Sequence, residues 1–154
     1  MIVSVLAVGK VRSLQRPIAE YERKAGRYWR LSVEEVRQTR GRDAGSVQEG
    51  EEELLAKRLD SRFRLVALTR TGRAYSSRQL AGWLEALQVG SVPGVHFLIG
   101  GAFGLASDLI SRADLALSLS SLTLPHDMAR LVLAEQLYRA GTILRNEPYH
   151  KGAE

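Results

Sequence analysis

Five short apolar runs punctuate the chain, at Ile2–Val8 and at residues 31–36, 65–69, 95–99 and 115–119. All are β-branched or leucine-rich and nearly unbroken, as strands buried on both faces are. Between them the apolar spacing lengthens to that of helices. A first helix is predicted from Pro17, with Ile18, Tyr21, Ala25 and then Tyr28 or Trp29 along one side. A second, over residues 47–59, places Glu51, Glu52 and Glu53 before Lys57 and Arg58, the order a helix dipole favours. Ser76 or Ser77 can cap a third that carries Leu80, Trp83, Leu84 and Leu87 and stops in the glycine-containing stretch of residues 90–94. A short helix follows Gly104. A long one follows Pro125 and runs to about Arg145, with Ala129, Leu133, Leu137, Ala140 and Leu144 as its inward stripe.

Strands alternating with helices predict an α/β fold, a mostly parallel sheet flanked by helices. At 154 residues the chain suits a single domain over 1–154. In such sheets ligands bind beyond the carboxyl ends of the strands, which directs attention to the loops after Leu68, Ile99 and Leu119. The polar stretch of residues 40–46 is expected as a mobile loop that offers Arg40 and Arg42 to a phosphate backbone.

Charge narrows the partners. The 22 Lys+Arg against 17 Asp+Glu leave a net charge of +5, which favours a polyanion. The chain has no cysteine, which removes disulfides, thiolate zinc sites and cysteine nucleophiles, and no His and acid cluster has metal-ligand spacing, so no metal is expected. The opening residues read as a strand and not a signal, and no apolar run reaches the length of a membrane span, so a cytoplasmic protein is expected.

Residues 97–104 form an apolar strand that ends in Gly100-Gly101-Ala102-Phe103-Gly104. Glycines there permit close backbone approach to a ligand, or simply a tight strand-to-helix turn. The segment Leu119-Ser120-Ser121-Leu122-Thr123-Leu124-Pro125-His126 alternates leucines with hydroxyls, which suits an adenine ring, or else a strand end and a helix cap. His126, at a helix start, could accept a proton or orient the loop. Arg139 lies four residues after Glu135, at the spacing of a simple helical ion pair. His96, interior to an apolar run, reads as a satisfied core histidine.

Taken in order, Leu-Ile-Gly-Gly-x-x-Gly, Leu-Ser-x-Leu-Thr-Leu-Pro-His, Glu-Gln-Leu-Tyr-Arg-Ala and Asn-x-Pro-Tyr-His-Lys closely resemble the RlmH family. These are knotted SPOUT-class enzymes that methylate N3 of a pseudouridine in bacterial large-subunit ribosomal RNA. The Val-Gly-Lys after the first strand and the overall size also match, so the likeness spans the chain. It implies a C-terminal trefoil knot and a homodimer. It further implies S-adenosylmethionine held at Leu68, Gly100, Leu119, Ser120, Ser121, Leu122, Thr123 and Leu124. Arg139, Tyr149 and His150 would then join His126 at the substrate, which is expected to be the assembled 70S ribosome. The departure is Ala102 and Phe103 in the glycine turn, where Phe103 reshapes the turn or packs a dimer. The rival expectations are a related knotted enzyme acting on a ribose 2′-hydroxyl and a non-enzymatic ribosome-binding factor.

Overall fold

The computed structural model describes residues 1–151. Five strands, β1 (Ile2–Val8), β2 (Arg30–Val36), β3 (Arg64–Ala74), β4 (Gly94–Ile99) and β5 (Leu115–Ser118), form one sheet in the order β2-β1-β4-β3-β5. Every pairing is parallel. Five helices complete the fold: α1 (Gln15–Ala25), α2 (Ala44–Ala56), α3 (Ser77–Val89), α4 (Ser107–Arg112) and α5 (His126–Leu144). A 3₁₀ turn at Pro148–His150 follows. The α/β sheet flanked by helices is therefore present as expected.

The unbroken apolar runs have a simple cause. Alternate residues of β1 and β4 face opposite cores. Val3, Val5, Ala7, Val95, Phe97 and Ile99 pack on one side with Ala25 of α1, Leu80 and Leu84 of α3, and Leu133 and Leu137 of α5. Leu6, Val8 and Leu98 pack on the other with Leu55 of α2 and Leu109 of α4. Each fully buried leucine or phenylalanine here contributes about 1.5–3 kcal/mol of transfer free energy.

Capping sets two of the helix starts. Ser76 and Gln79 form a reciprocal capping box at α3. At α2 the Asp43 carboxylate accepts from the Ser46 amide at 2.8 Å, so the helix begins at Ala44 and the end of the expected 40–46 loop is helical. Two further bounds differ from the sequence pattern. The first turn of α1 closes on the Leu14 carbonyl, ahead of Pro17, because a proline lacks only a donor that a first turn does not use. In α5, Leu133, Leu137 and Ala140 are buried as expected, but Ala129 and Leu144 are only half-buried, and Asp127 and Arg130 share the inward face. Arg130 is buried because it reaches Glu22 and Glu35, each at 3.3 Å.

β3 is also longer than its apolar run, and its pairing with β5 skips between Leu68 and Arg73. Within the skip, Gly72 passes so close to β5 that a Cβ there would lie 2.6 Å from the Ala116 carbonyl oxygen. Residues 69–72 are thus released from the ladder as a bulge.

Candidate functional site

At the carboxyl ends of β3, β4 and β5 the three nominated loops converge on one cleft of 1020 Å³. Its size suits a small ligand with room for part of a second. The β3 bulge contributes Leu68, Thr69, Arg70 and Thr71, the glycine turn Gly100 to Gly104, and the leucine-hydroxyl loop Leu119, Ser120, Leu122, Thr123 and Leu124, followed by His126. Of the expected cofactor residues only Ser121 lies outside the lining, and it is exposed.

Each loop is held by groups behind it. The Ser118 hydroxyl lies 3.0 Å from the Arg70 carbonyl and 2.9 Å from that of Ser120, which ties the bulge to the leucine-hydroxyl loop. In the glycine turn, a Cβ on Gly100 would come within 2.5 Å of the Gly104 carbonyl carbon, so the turn closes only around a glycine. Gly104 itself has φ +75°, the left-handed region. From behind, α2 supports the turn twice: Gln48 donates to the Phe103 carbonyl at 2.7 Å, and the buried Glu51 carboxylate lies against Gly101. Glu51 also accepts from the Thr39 amide at 3.4 Å, and burial pushes its pKa up. Phe103 is exposed at the rim, in contact with neither core.

His126 opens α5 beside the glycine turn. Its buried Nε2 has no partner, and burial, opposed by a backbone hydrogen bond with Gly100, holds the imidazole below its ordinary pKa and so neutral. The next residue, Asp127, is buried and accepts at one oxygen from the amides of Arg12 (2.9 Å), Ser13 (2.8 Å) and Leu14 (3.3 Å). These bonds hold its carboxyl below the usual range and fasten the β1–α1 loop to the start of α5.

The other three expected catalytic residues are placed elsewhere. Arg139 donates twice to Glu135, at 2.9 and 2.6 Å, so the helical ion pair does form. The Tyr149 hydroxyl donates to the same carboxylate oxygen at 2.9 Å, and its ring lies 4.8 Å from the guanidinium and 4.5 Å from the Tyr138 ring. Burial raises the Tyr149 phenol. His150 is buried, with Nδ1 unpartnered. None of these three lines the cleft of its own chain. His96 accepts from the Asp60 amide at 2.9 Å through Nε2, although its buried Nδ1 is unpartnered.

Sequence reasoning passed over Lys10, Arg12, Arg70, Glu51 and Asp127. Arg70 was within reach, two residues past Leu68 in a nominated loop. Among the described residues no group of three or more acidic, histidine or cysteine side chains could hold a metal ion, and no helix is long and apolar enough to cross a membrane.

For a sulfonium nucleoside the lining fits. Apolar walls at Leu68, Ile99, Leu119 and Leu124 alternate with hydroxyls and strand-end backbone, and His126, whose buried Nε2 is unpartnered, is part of the lining.

Comparison with known proteins gives the same direction. The family described as "Predicted SPOUT methyltransferase" matches residues 1–150. Proteins named "Ribosomal RNA large subunit methyltransferase H" are similar over the whole chain. That of Gemmatimonas aurantiaca is 46% identical over 155 residues, covering 98% of this chain and 100% of its own. Those of Paraburkholderia xenovorans and Geobacter metallireducens are 42% and 41% identical, covering 98% and 97% of this chain and 99% of each relative. In fold, the chain is similar to a probable methylase family protein from Haemophilus influenzae, with TM-score 0.60 and 13% identity over 97% of this chain and 70% of that one.

Proposed function

The chain belongs to the SPOUT methyltransferase family, and from that premise we propose that it methylates N3 of a pseudouridine in large-subunit ribosomal RNA, on the assembled ribosome. The observation that carries this reading is the convergence of the β3, β4 and β5 loops on a single cleft. The names of its relatives support the RNA substrate.

S-adenosylmethionine, when bound, supplies an activated methyl group on a good leaving group. Leu68, Gly100, Leu119, Ser120, Ser121, Leu122, Thr123 and Leu124 would hold it, mostly through backbone groups and apolar walls. What remains for the protein is to align N3 and relieve it of a proton, because the imide anion is the better nucleophile. His126 is the neutral acceptor in the cleft lining and is assigned that proton.

Arg139, Tyr149 and His150 lie away from the cleft of their own chain, which supports a homodimer in which one subunit's tail serves its partner's cleft. The same reading includes a C-terminal trefoil knot and a cytoplasmic location, where ribosomes are. In this reading the substrate is the assembled particle and not naked RNA.

The test is incubation with unmodified 70S ribosomes and methyl-labelled S-adenosylmethionine, followed by mass spectrometry of the nucleosides. Labelled N3-methylpseudouridine is expected. Label on a ribose hydroxyl would favour the related-enzyme reading, and no label with no heat of cofactor binding would favour a non-enzymatic factor.

A further inference from the structure

The cleft carries more positive charge than its cofactor can use. Lys10, Arg12 and Arg70 all line it, and among the described residues none of the three makes an ion pair. Some cations elsewhere are neutralised within the chain: Arg58, Arg62, Arg64, Arg112, Arg130 and Arg139 each meet a carboxylate. The one carboxylate of the lining, Asp127, is already engaged by three backbone amides and the Ser13 hydroxyl. S-adenosylmethionine has one carboxylate but also an ammonium and a sulfonium, so it is a net cation. At most one of the three side chains can serve it. The others repel it unless a further anion enters the cleft.

The loop that bears Lys10 and Arg12 is also unusually well fixed. Gly9, at φ +92°, donates to the Val36 carbonyl at 2.8 Å, and the Val11 amide donates to Glu35 at 3.2 Å. Asp127 takes the amides of residues 12–14, and Gln15 donates back to the Arg12 carbonyl at 2.7 Å. All five backbone amides in these bonds, those of residues 9, 11, 12, 13 and 14, lead to residues of β2 or α5 far along the chain. A loop so held presents its cations without having to order on binding, which is what selective anion contact needs.

We propose that the loop of residues 10–14, pinned by Asp127, is a preset phosphate-contact arm that takes the RNA backbone beside the target nucleotide through Lys10 and Arg12, with Arg70 on the β3 bulge as a third contact. Asp127 is a positioning residue in this arm. The inference rests on the ribosomal RNA reading above and adds the surface that meets the substrate.

The experiment uses the full chain and 70S ribosomes, with binding followed by co-sedimentation across a salt series and S-adenosylmethionine affinity measured separately by calorimetry. For K10A/R12A, ribosome affinity should fall about tenfold or more, and the slope of log affinity against log salt should shrink by about 1.5, since each phosphate contact contributes about 0.7–0.9. Cofactor affinity should stay within about twofold. K10R/R12K, which keeps both charges, should retain most ribosome binding. D127N should raise KM for ribosomes with kcat little changed, because the cations remain but lose their placement. Unchanged salt dependence in K10A/R12A, or a loss of cofactor affinity in place of ribosome affinity, would overturn the assignment. If the wild-type chain binds cofactor but neither binds nor methylates ribosomes, the ribosomal reading fails first and this inference with it.

Discussion

The cleft and the aromatic cluster on α5 both gather polar side chains, and they treat them in opposite ways. In the cluster the main charged and phenolic groups are paired within the chain: Arg139 and Tyr149 share Glu135, and the Tyr28 hydroxyl donates to Glu147. Burial and that carboxylate push the Tyr28 phenol up to about 12. In the cleft side chains are left over, among them the His126 Nε2 and the cations of Lys10, Arg12 and Arg70. Leftover capacity marks a surface built for a ligand, since an unmet buried polar atom costs about 1–3 kcal/mol unless something arrives to meet it. For the cluster to contact substrate, Arg139 and Tyr149 must trade a partner they already have.

The contrast is sharpest at Gly100. Gly100→Ala puts a Cβ 2.5 Å from the Gly104 backbone, which no side-chain motion can relieve. Overpacking of this kind costs about 1–3 kcal/mol, so S-adenosylmethionine affinity by calorimetry should drop roughly ten- to a hundredfold. An unchanged affinity would mean the turn does not shape the cofactor site. Arg139→Ala tests the other region. Methyl transfer to ribosomes should fall by about tenfold or more, the loss of one charged hydrogen bond, while cofactor affinity holds. Loss of cofactor affinity instead would merge the two regions into one.

Glu51→Ala removes the support behind the turn without touching the cleft lining. It should lower stability by about 1–3 kcal/mol in denaturant melts and loosen cofactor binding, whereas Glu51→Gln, which keeps an acceptor for Thr39, should do much less. Equal effects of the two would show that the charge itself matters there. The smallest effect concerns pH. Asp127 has a native pKa below its ordinary 3.8, so its stabilisation is present above that value and is lost as pH falls through the lower native one. Asp127→Asn should therefore lower stability at neutral pH, flatten the acid limb of the profile and leave stability below the native pKa little changed. His126 acts in the same direction at higher pH. Its native pKa lies below 6.5, so it favours the folded state fully above 6.5 and progressively less below.

Much of this was legible in residues close together in the chain. The five strands, the capping serine of α3, the glycine turn and the leucine-hydroxyl loop each announce themselves within about ten residues, because period, capping and turn chemistry are local. The order of four such segments was enough to point to the family. The β3 bulge was not legible, since Thr69 to Gly72 leave the ladder only where β5 runs past them.

The sequence by itself therefore determined the α/β alternation, the three loops and the kind of cofactor they resemble a site for. Only the tertiary structure decided which charges share that site. Asp127 meets the amides of Arg12 and Ser13 across more than a hundred residues, and Glu51 reaches Gly101 from another helix. Such meetings depend on how α2 and α5 pack on opposite faces of one sheet, and no local pattern records a distance between segments that are far apart along the chain. The same packing left Arg139 and Tyr149 on a different surface from the cleft, which turns their place in the chemistry into a question about a second subunit.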